Sequence, residues 1–344
     1  MIKEGLTFDD VLLVPEHSEI DTRSSVDLSV RFGKQKFKHP IIPANMKTVT
    51  GRDMAWAVTQ SGGLAILHRF MSLQDQLDIA EDLLESGRDG LLALSVGVKD
   101  EDKRNLASLV HLGISQVCID VAHGDSKQCI SMIEYIKKEY PEVWVIAGNV
   151  ATGSGAQRLW EAGADVVKVG VGPGSLCTTR IETGNGVPQL TALMDVRERR
   201  AEIINKIGYT TGKINNPMHI IADGGIKSAG DIVKALCFAD MVMVGNLFAG
   251  CEEAPGERRV MGGTSYKEYV GSSTHKASHV EGVAAMVPYQ GTYQQVLTKL
   301  LEGLRSGCSY QGASNLVDLR DNPKFVRITP AGLKESHPHD VILR

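Results

Sequence analysis

The 344-residue chain has six cysteines but no pair spaced C-x-x-C, so nothing in the spacing points to a zinc knuckle or a disulfide framework. Aromatic residues are only 5% of the chain, and no dense run of lysine or arginine occurs. A net charge of -4 and a pI near 6.2 give no electrostatic reason to bind nucleic acid. No apolar stretch reaches the roughly 18 residues that a membrane span requires, and residues 1–17 have no apolar core of the secretory kind. The expectation is a cytoplasmic protein without nucleic-acid or membrane partners.

What the chain does have is repetition. Eight short apolar runs end in Gly, Asn, Asp or His: residues 39–45, 63–69, 91–98, 116–124, 143–150, 166–174, 218–225 and 241–246. Their continuous Val/Ile/Leu/Ala content suits strands covered on both faces. Between most of them lies a segment with helical apolar spacing, such as SLQDQLDIAEDLLESG or DSKQCISMIEYIKKEY. Eight units repeating every roughly 23 to 28 residues, with one interval of about 52, predict a (β/α)8 barrel of the usual size. A doubly wound open sheet is the weaker alternative, because no G-x-G-x-x-G follows the first strand. The expected layout is a single barrel domain over 1–344, with strands in 39–250, a flap over 262–290 and an extended tail over 320–344. The Gly/Ser-rich segment from 251 to 291 reads as a long loop over the barrel mouth.

The long interval holds the stretch KVGVGPGSLCTTRIETGNGVPQ, residues 168–189, which places Cys177 among glycines after strand six. Active sites of such barrels lie at the C-terminal ends of the strands. There a thiolate surrounded by backbone N–H groups has the chemistry of a nucleophile, with the hydroxyls of Thr178 and Thr179 beside it. Gly225, Gly245 and Asn246, after strands seven and eight, are natural phosphate donors. Asp223 is unsuited to phosphate but can accept from ribose hydroxyls, so the pattern spells a nucleotide. Asn45, Asp120, His123 and Asn149 fall at strand ends facing the same mouth, and His68 with Arg69 offers a basic pair for a second anion.

The motifs GVGPGSLCTTR, IADGGI, FAGCEEAPGE, ANMKTVTG, IDVAHGDS, IAGNV, LRSGCSYQGA and AGLKESHPHDV together resemble the IMP dehydrogenase and GMP reductase family over essentially the whole chain. The resemblance implies the same barrel, and Cys177 as the nucleophile that attacks C2 of a purine nucleotide. It implies Ser175, Gly225, Gly245, Asn246 and Tyr269 at the phosphate, Asp223 at the ribose, and Gly271 with Ser272 among the nucleotide contacts. Asp120, Ala122, His123, Asn149 and Thr178 are implied to contact the nicotinamide, and Thr179 with Glu281 to form a proton relay. A potassium ion is implied between Gly172, Gly174 and Cys177 and, from a neighbouring subunit of a tetramer or octamer, Glu335, Ser336 and His337.

Within the family, dehydrogenases usually carry paired CBS domains after the second strand and an Arg-Tyr dipeptide in the flap. This chain runs from ILHRF directly into a helix and has only SSTHKASHV between Gly271 and Glu281. With no group to activate water, the expectation is a GMP reductase that converts GMP and NADPH to IMP and ammonia. The alternatives are an IMP dehydrogenase without CBS domains, which the KESHPHDV tail favours, and a nucleotide-binding barrel without catalysis. Lys47 and Asn185 depart from the family's common Asp and Val.

Overall fold

The structure, a computed structural model, describes residues 2–33, 35–208, 218–271, 283–339 and 341. Eight parallel strands form its centre: Ile41–Pro43, Ala65–Leu67, Leu92–Val96, Gln116–Asp120, Trp144–Val150, Val166–Val169, His219–Asp223 and Met241–Val244. Numbered one to eight in chain order, they pair as one-eight-seven-six-five-four-three-two. Strand one lies parallel to strand eight, with Ile41 opposite Val242. That pairing curls the ribbon into a (β/α)8 barrel, as the eight apolar runs predict.

The strands form because each apolar run is short and bounded by turn residues, and every residue of strands one, two, three, six and eight is buried. Helices cover the outer faces. Leu73–Glu85 starts at Ser72, whose hydroxyl accepts from Asp75 N while the Asp75 carboxylate accepts from Ser72 N, a reciprocal cap. Lys127–Glu139, Gly153–Glu161 and Ala229–Leu236 start at Ser126, Thr152 and Ser228 with one-way caps, each side chain satisfying one free N–H. The long interval after strand six contributes the helix Gln189–Gly208.

At the N-terminal end of the barrel the antiparallel pair Val30–Phe32 and Gln35–Phe37 closes the bottom. Phe32 stacks on His219 at 4.3 Å, and Trp144 lies parallel to Phe32 at 6.5 Å.

Two expectations need correction. The segment after strand eight is not a structureless loop. Arg258–Met261, Thr264–Val270 and Ala284–Pro288 form a three-stranded antiparallel sheet. Gly262 and Gly263, with φ of +57° and +79°, make the tight turn between the first two strands. Nor is the tail merely extended. Phe325–Arg327 pairs with Val11–Leu13, and Pro330–Glu335 forms a short helix packed on Phe8–Asp10.

Candidate active site

A cavity of about 390 Å³ opens at the C-terminal mouth of the barrel. Strand ends supply its floor, and the loop after strand six supplies one wall. Gly170, with φ of +154°, packs so closely on the Asp223 carbonyl that no side chain fits there. Asp223 is thereby brought beside the root of the loop.

The loop is tied at its base. Arg180 Nε donates to Val171 O at 3.1 Å and Nη2 donates to Val187 O at 2.7 Å, so one guanidinium joins both ends of the loop. Gly172 and Gly186 flank that side chain, and a Cβ at either would lie within 2.7 Å of it. Cys177 is exposed on the loop, and its Sγ is 3.1 Å from Thr179 Oγ1. The five other cysteines are buried, and burial pushes each of their thiols up to about 12.

At the floor, Lys168 Nζ lies 3.0 Å from Asp120 Oδ1 and 3.1 Å from Asp223 Oδ2. Asn149 Nδ2 donates to Asp223 Oδ2 at 2.9 Å and to Gly170 O at 2.8 Å. Gln189 Nε2 donates to Val169 O and to Asp223 O. Asp120 is half-buried, and against the desolvation this brings, Lys168 and an Asn45 hydrogen bond hold its carboxyl below the usual range. Arg69 Nε donates to Asp120 O, and its guanidinium lies 4.7 Å from the Phe70 ring centre.

Most of the residues singled out in the sequence meet at this cavity. Asn45, Asp120, Ala122, Asn149, Gly172, Gly174, Cys177, Thr179, Asp223, Tyr269 and Gly271 all line it. Tyr269 is buried, its hydroxyl set against Gly245, and burial raises its pKa. Gly245 caps the one-turn helix Asn246–Ala249 after strand eight. Ser175 and Gly225 line a smaller adjoining cavity of about 250 Å³ with Arg180, Gln189 and Lys227. Thr178 caps the short helix Thr179–Thr183.

Other residues are placed differently. His123 is exposed and does not line the main cavity. His68 is 4% exposed, and burial lowers its pKa to about 4, with Lys47 adding to the shift. Its Nδ1 accepts from Phe70 N, so it is neutral near pH 7, and of the expected basic pair only Arg69 is a cation. Glu335, Ser336 and His337 end the short C-terminal helix, where the hydrogen bonds of Ser336 and His337 are local. Among the described residues no group of three or more His, Cys, Asp or Glu could hold a metal ion. Ser272 and Glu281 lie outside the described residues. The residues on either side of that segment are nevertheless joined: Gly271 N donates to Val283 O, and Val283 N donates to Leu176 O on the cysteine loop.

Sequence reading missed three contributors, Lys168, Arg180 and Gln189. A lysine inside VVKVG was the one available signal, since a charge in a buried strand demands partners.

A family model described as the IMP dehydrogenase / GMP reductase domain matches residues 5–339. The chain belongs to that family. It is therefore an oxidoreductase of purine nucleotides that works with a nicotinamide. Curated relatives include proteins named inosine-5'-monophosphate dehydrogenase from Nitrosopumilus maritimus, 33% identical over 99% of both chains, and from Aquifex aeolicus, 35% identical over 99% of this chain and 96% of the relative. A third, from Borreliella burgdorferi, is 36% identical over 98% of each. These likenesses overturn the GMP reductase expectation, and with it the support for NADPH. The expectation rested on a missing CBS insertion and on the absence of one dipeptide from nine residues, against likeness to dehydrogenases along nearly the whole chain. The first alignment spans 485 positions, more than 344 residues can fill, so that relative carries an internal stretch without a counterpart here. Among the described residues no helix is long and apolar enough to cross a membrane.

Proposed function

We propose that this protein is an IMP dehydrogenase that oxidises IMP to XMP with NAD, built as a single barrel domain that lacks the paired CBS domains. The observation that carries the reading is an exposed thiol, Cys177, on a stapled loop beside a cavity whose floor presents the Asp223 carboxylate. A nucleophile above and a ribose acceptor below are what covalent chemistry on a nucleotide base requires. The volume of about 390 Å³ is in the range of small-ligand sites.

IMP enters with its ribose hydroxyls on Asp223 and its phosphate toward Ser175, Gly225, Gly245, Asn246 and Tyr269. Gly271 and Ser272 are assigned among its contacts. The Cys177 thiolate adds to C2 of the purine, and C2–H leaves as hydride. A bound nicotinamide supplies the acceptor for that hydride. The chain's groups suit the nicotinamide half of the cofactor: the Phe70 ring and Arg69 guanidinium offer a face and a cation, and Asp120, Ala122 and Asn149 line the same side.

The purine is then bonded through C2 to sulfur. Water adds to C2, its proton passes through the Thr179 hydroxyl to Glu281, and the C–S bond breaks to return the thiolate and release XMP. The 3.1 Å contact between Thr179 Oγ1 and Cys177 Sγ supports this role. The main-chain oxygens of Gly172, Gly174 and Cys177 have the hard-donor chemistry that an alkali cation takes. We assign potassium to them, with Glu335, Ser336 and His337 reaching over from another subunit of a homo-oligomer.

The test is to mix the protein with IMP and NAD and follow the absorbance of reduced nicotinamide. The reading requires NADH to form only when IMP is present. No NADH with IMP would overturn it.

A further inference from the structure

Strand six reads Val166-Val-Lys-Val169, and all four residues are buried. Lys168 is 1% exposed. A buried ammonium costs several kcal/mol unless it is paired, and pairing here crosses the barrel. Its Nζ reaches Asp120 at the end of strand four, Asp223 at the end of strand seven, and, at 3.5 Å, Asn45 Oδ1 after strand one. Gly148 on the neighbouring strand makes room for the side chain. A Cβ there would lie 2.7 Å from Lys168 Cβ and 2.8 Å from Lys168 O. Strand five therefore gives up a side chain at the point where the lysine rises.

We propose that Lys168 is the positioning residue that orients Asp223 toward the nucleotide ribose and ties it to Asp120 on the cofactor side. The inference rests on the dehydrogenase reading and goes beyond it by assigning a cation beneath both binding carboxylates.

Lys168 and Asn149 both engage Asp223 Oδ2, while among the described residues Oδ1 has no partner. The carboxylate is thus gripped by one oxygen with the other left for a vicinal diol. Two carboxylates share one ammonium, so the cluster keeps a net negative charge to accept hydroxyl or amide donors. Asp223 is only partly buried and lines the cavity, so its open oxygen is within reach of a hydroxyl donor there. Removing the ammonium leaves two acidic groups without their shared cation, repelling each other and free to swing apart.

The experiment compares Lys168→Met, which keeps the bulk without the charge, with Lys168→Ala, which leaves room for propylammonium to restore it. IMP binding is measured directly on the oligomer without cofactor, beside thermal unfolding. Loss of one member of a buried, hydrogen-bonded charge pair should weaken IMP binding in both variants by on the order of 100-fold. Propylammonium, but not propanol, should recover at least a tenfold part of the loss in Lys168→Ala and none in Lys168→Met. Variants that melt earlier yet bind IMP as the parent does would reduce Lys168 to a structural role and overturn the proposal. Equal rescue by propanol would overturn it too, by showing that volume and not charge was lost. Failure of the parent itself to bind IMP removes the dehydrogenase reading and this inference together, whereas normal parent binding with unaltered variants removes the inference alone.

Discussion

The two ends of this barrel each hold a buried ion cluster, and the two are finished differently. At the N-terminal end Asp240 is closed in: Arg200 Nη1 and Ile220 N donate to the same oxygen at 2.8 and 2.9 Å, and Arg320 and His219 lie at 3.7 and 3.5 Å. These donors keep its carboxyl well below the usual carboxylate range despite its burial. At the C-terminal end Lys168 serves two carboxylates, one of which keeps an oxygen open to the cavity. Beside it Cys177 is the one exposed thiol of the chain. The same ingredients are closed in by surrounding cations at one end and leave a carboxylate oxygen facing the cavity at the other.

Mutation sharpens that contrast. Cys177→Ala should lower turnover by on the order of 10⁴-fold or more, as loss of a nucleophile does, while IMP binding and melting temperature hold because the side chain is exposed. NADH formation and equilibrium binding check this, and detectable turnover near the parent rate would sink the covalent mechanism. Thiol alkylation at neutral pH should label Cys177 alone, since burial keeps the other five protonated.

Asp240→Ala at the closed end should do the reverse. It strands buried cations and should cost about 3–5 kcal/mol in denaturant unfolding, with kcat of the folded protein little changed. A large fall in kcat at unaltered stability would erase the distinction between the ends.

Acid should weaken both ends together. His39, before strand one, and His68, after strand two, are both lowered by burial to about 4 from an ordinary 6.5. Each binds its proton more readily unfolded, so stability is full above about pH 6.5 and falls as pH drops toward 4, by on the order of 3 kcal/mol for each histidine. His39→Gln should flatten part of that slope in melts taken across the window; an unchanged slope would show that His39 does not contribute.

Arg180→Ala gives the smallest effect. It frees both ends of the cysteine loop and should reduce kcat by roughly 10- to 100-fold through misplacement of Sγ, with little change in global stability. Steady-state kinetics beside a thermal melt tests it, and an unaltered kcat would mean that the loop holds its shape without the staple.

The barrel was legible because each strand is a short apolar run, and the helices because the segments between the runs keep helical apolar spacing. The sheet after residue 250 was misread despite a visible clue, the Gly262-Gly263 pair between alternating segments, because its glycine and serine content suggested a loop. That Cys177, Asp223, Asn149 and Tyr269 share one cavity was legible through motifs and strand ends. His68 was not: it read as a cation, and only burial and the Phe70 amide make it neutral. The branch of the family was misjudged from a missing Arg-Tyr pair, a local signal outweighed by likeness over nearly the full chain.

By itself the sequence determined the repeat, the layers and the thiol loop, since these depend on apolar periodicity and on motifs within a few residues. Tertiary structure alone decided which charges face one another. Lys168 finds Asp120 and Asp223 at separations of 48 and 55 residues, and Arg200 finds Asp240 at 40. Such pairs exist only once the strands close into a ring, and it is closure that turns a lysine in an apolar strand from a liability into the floor of a site.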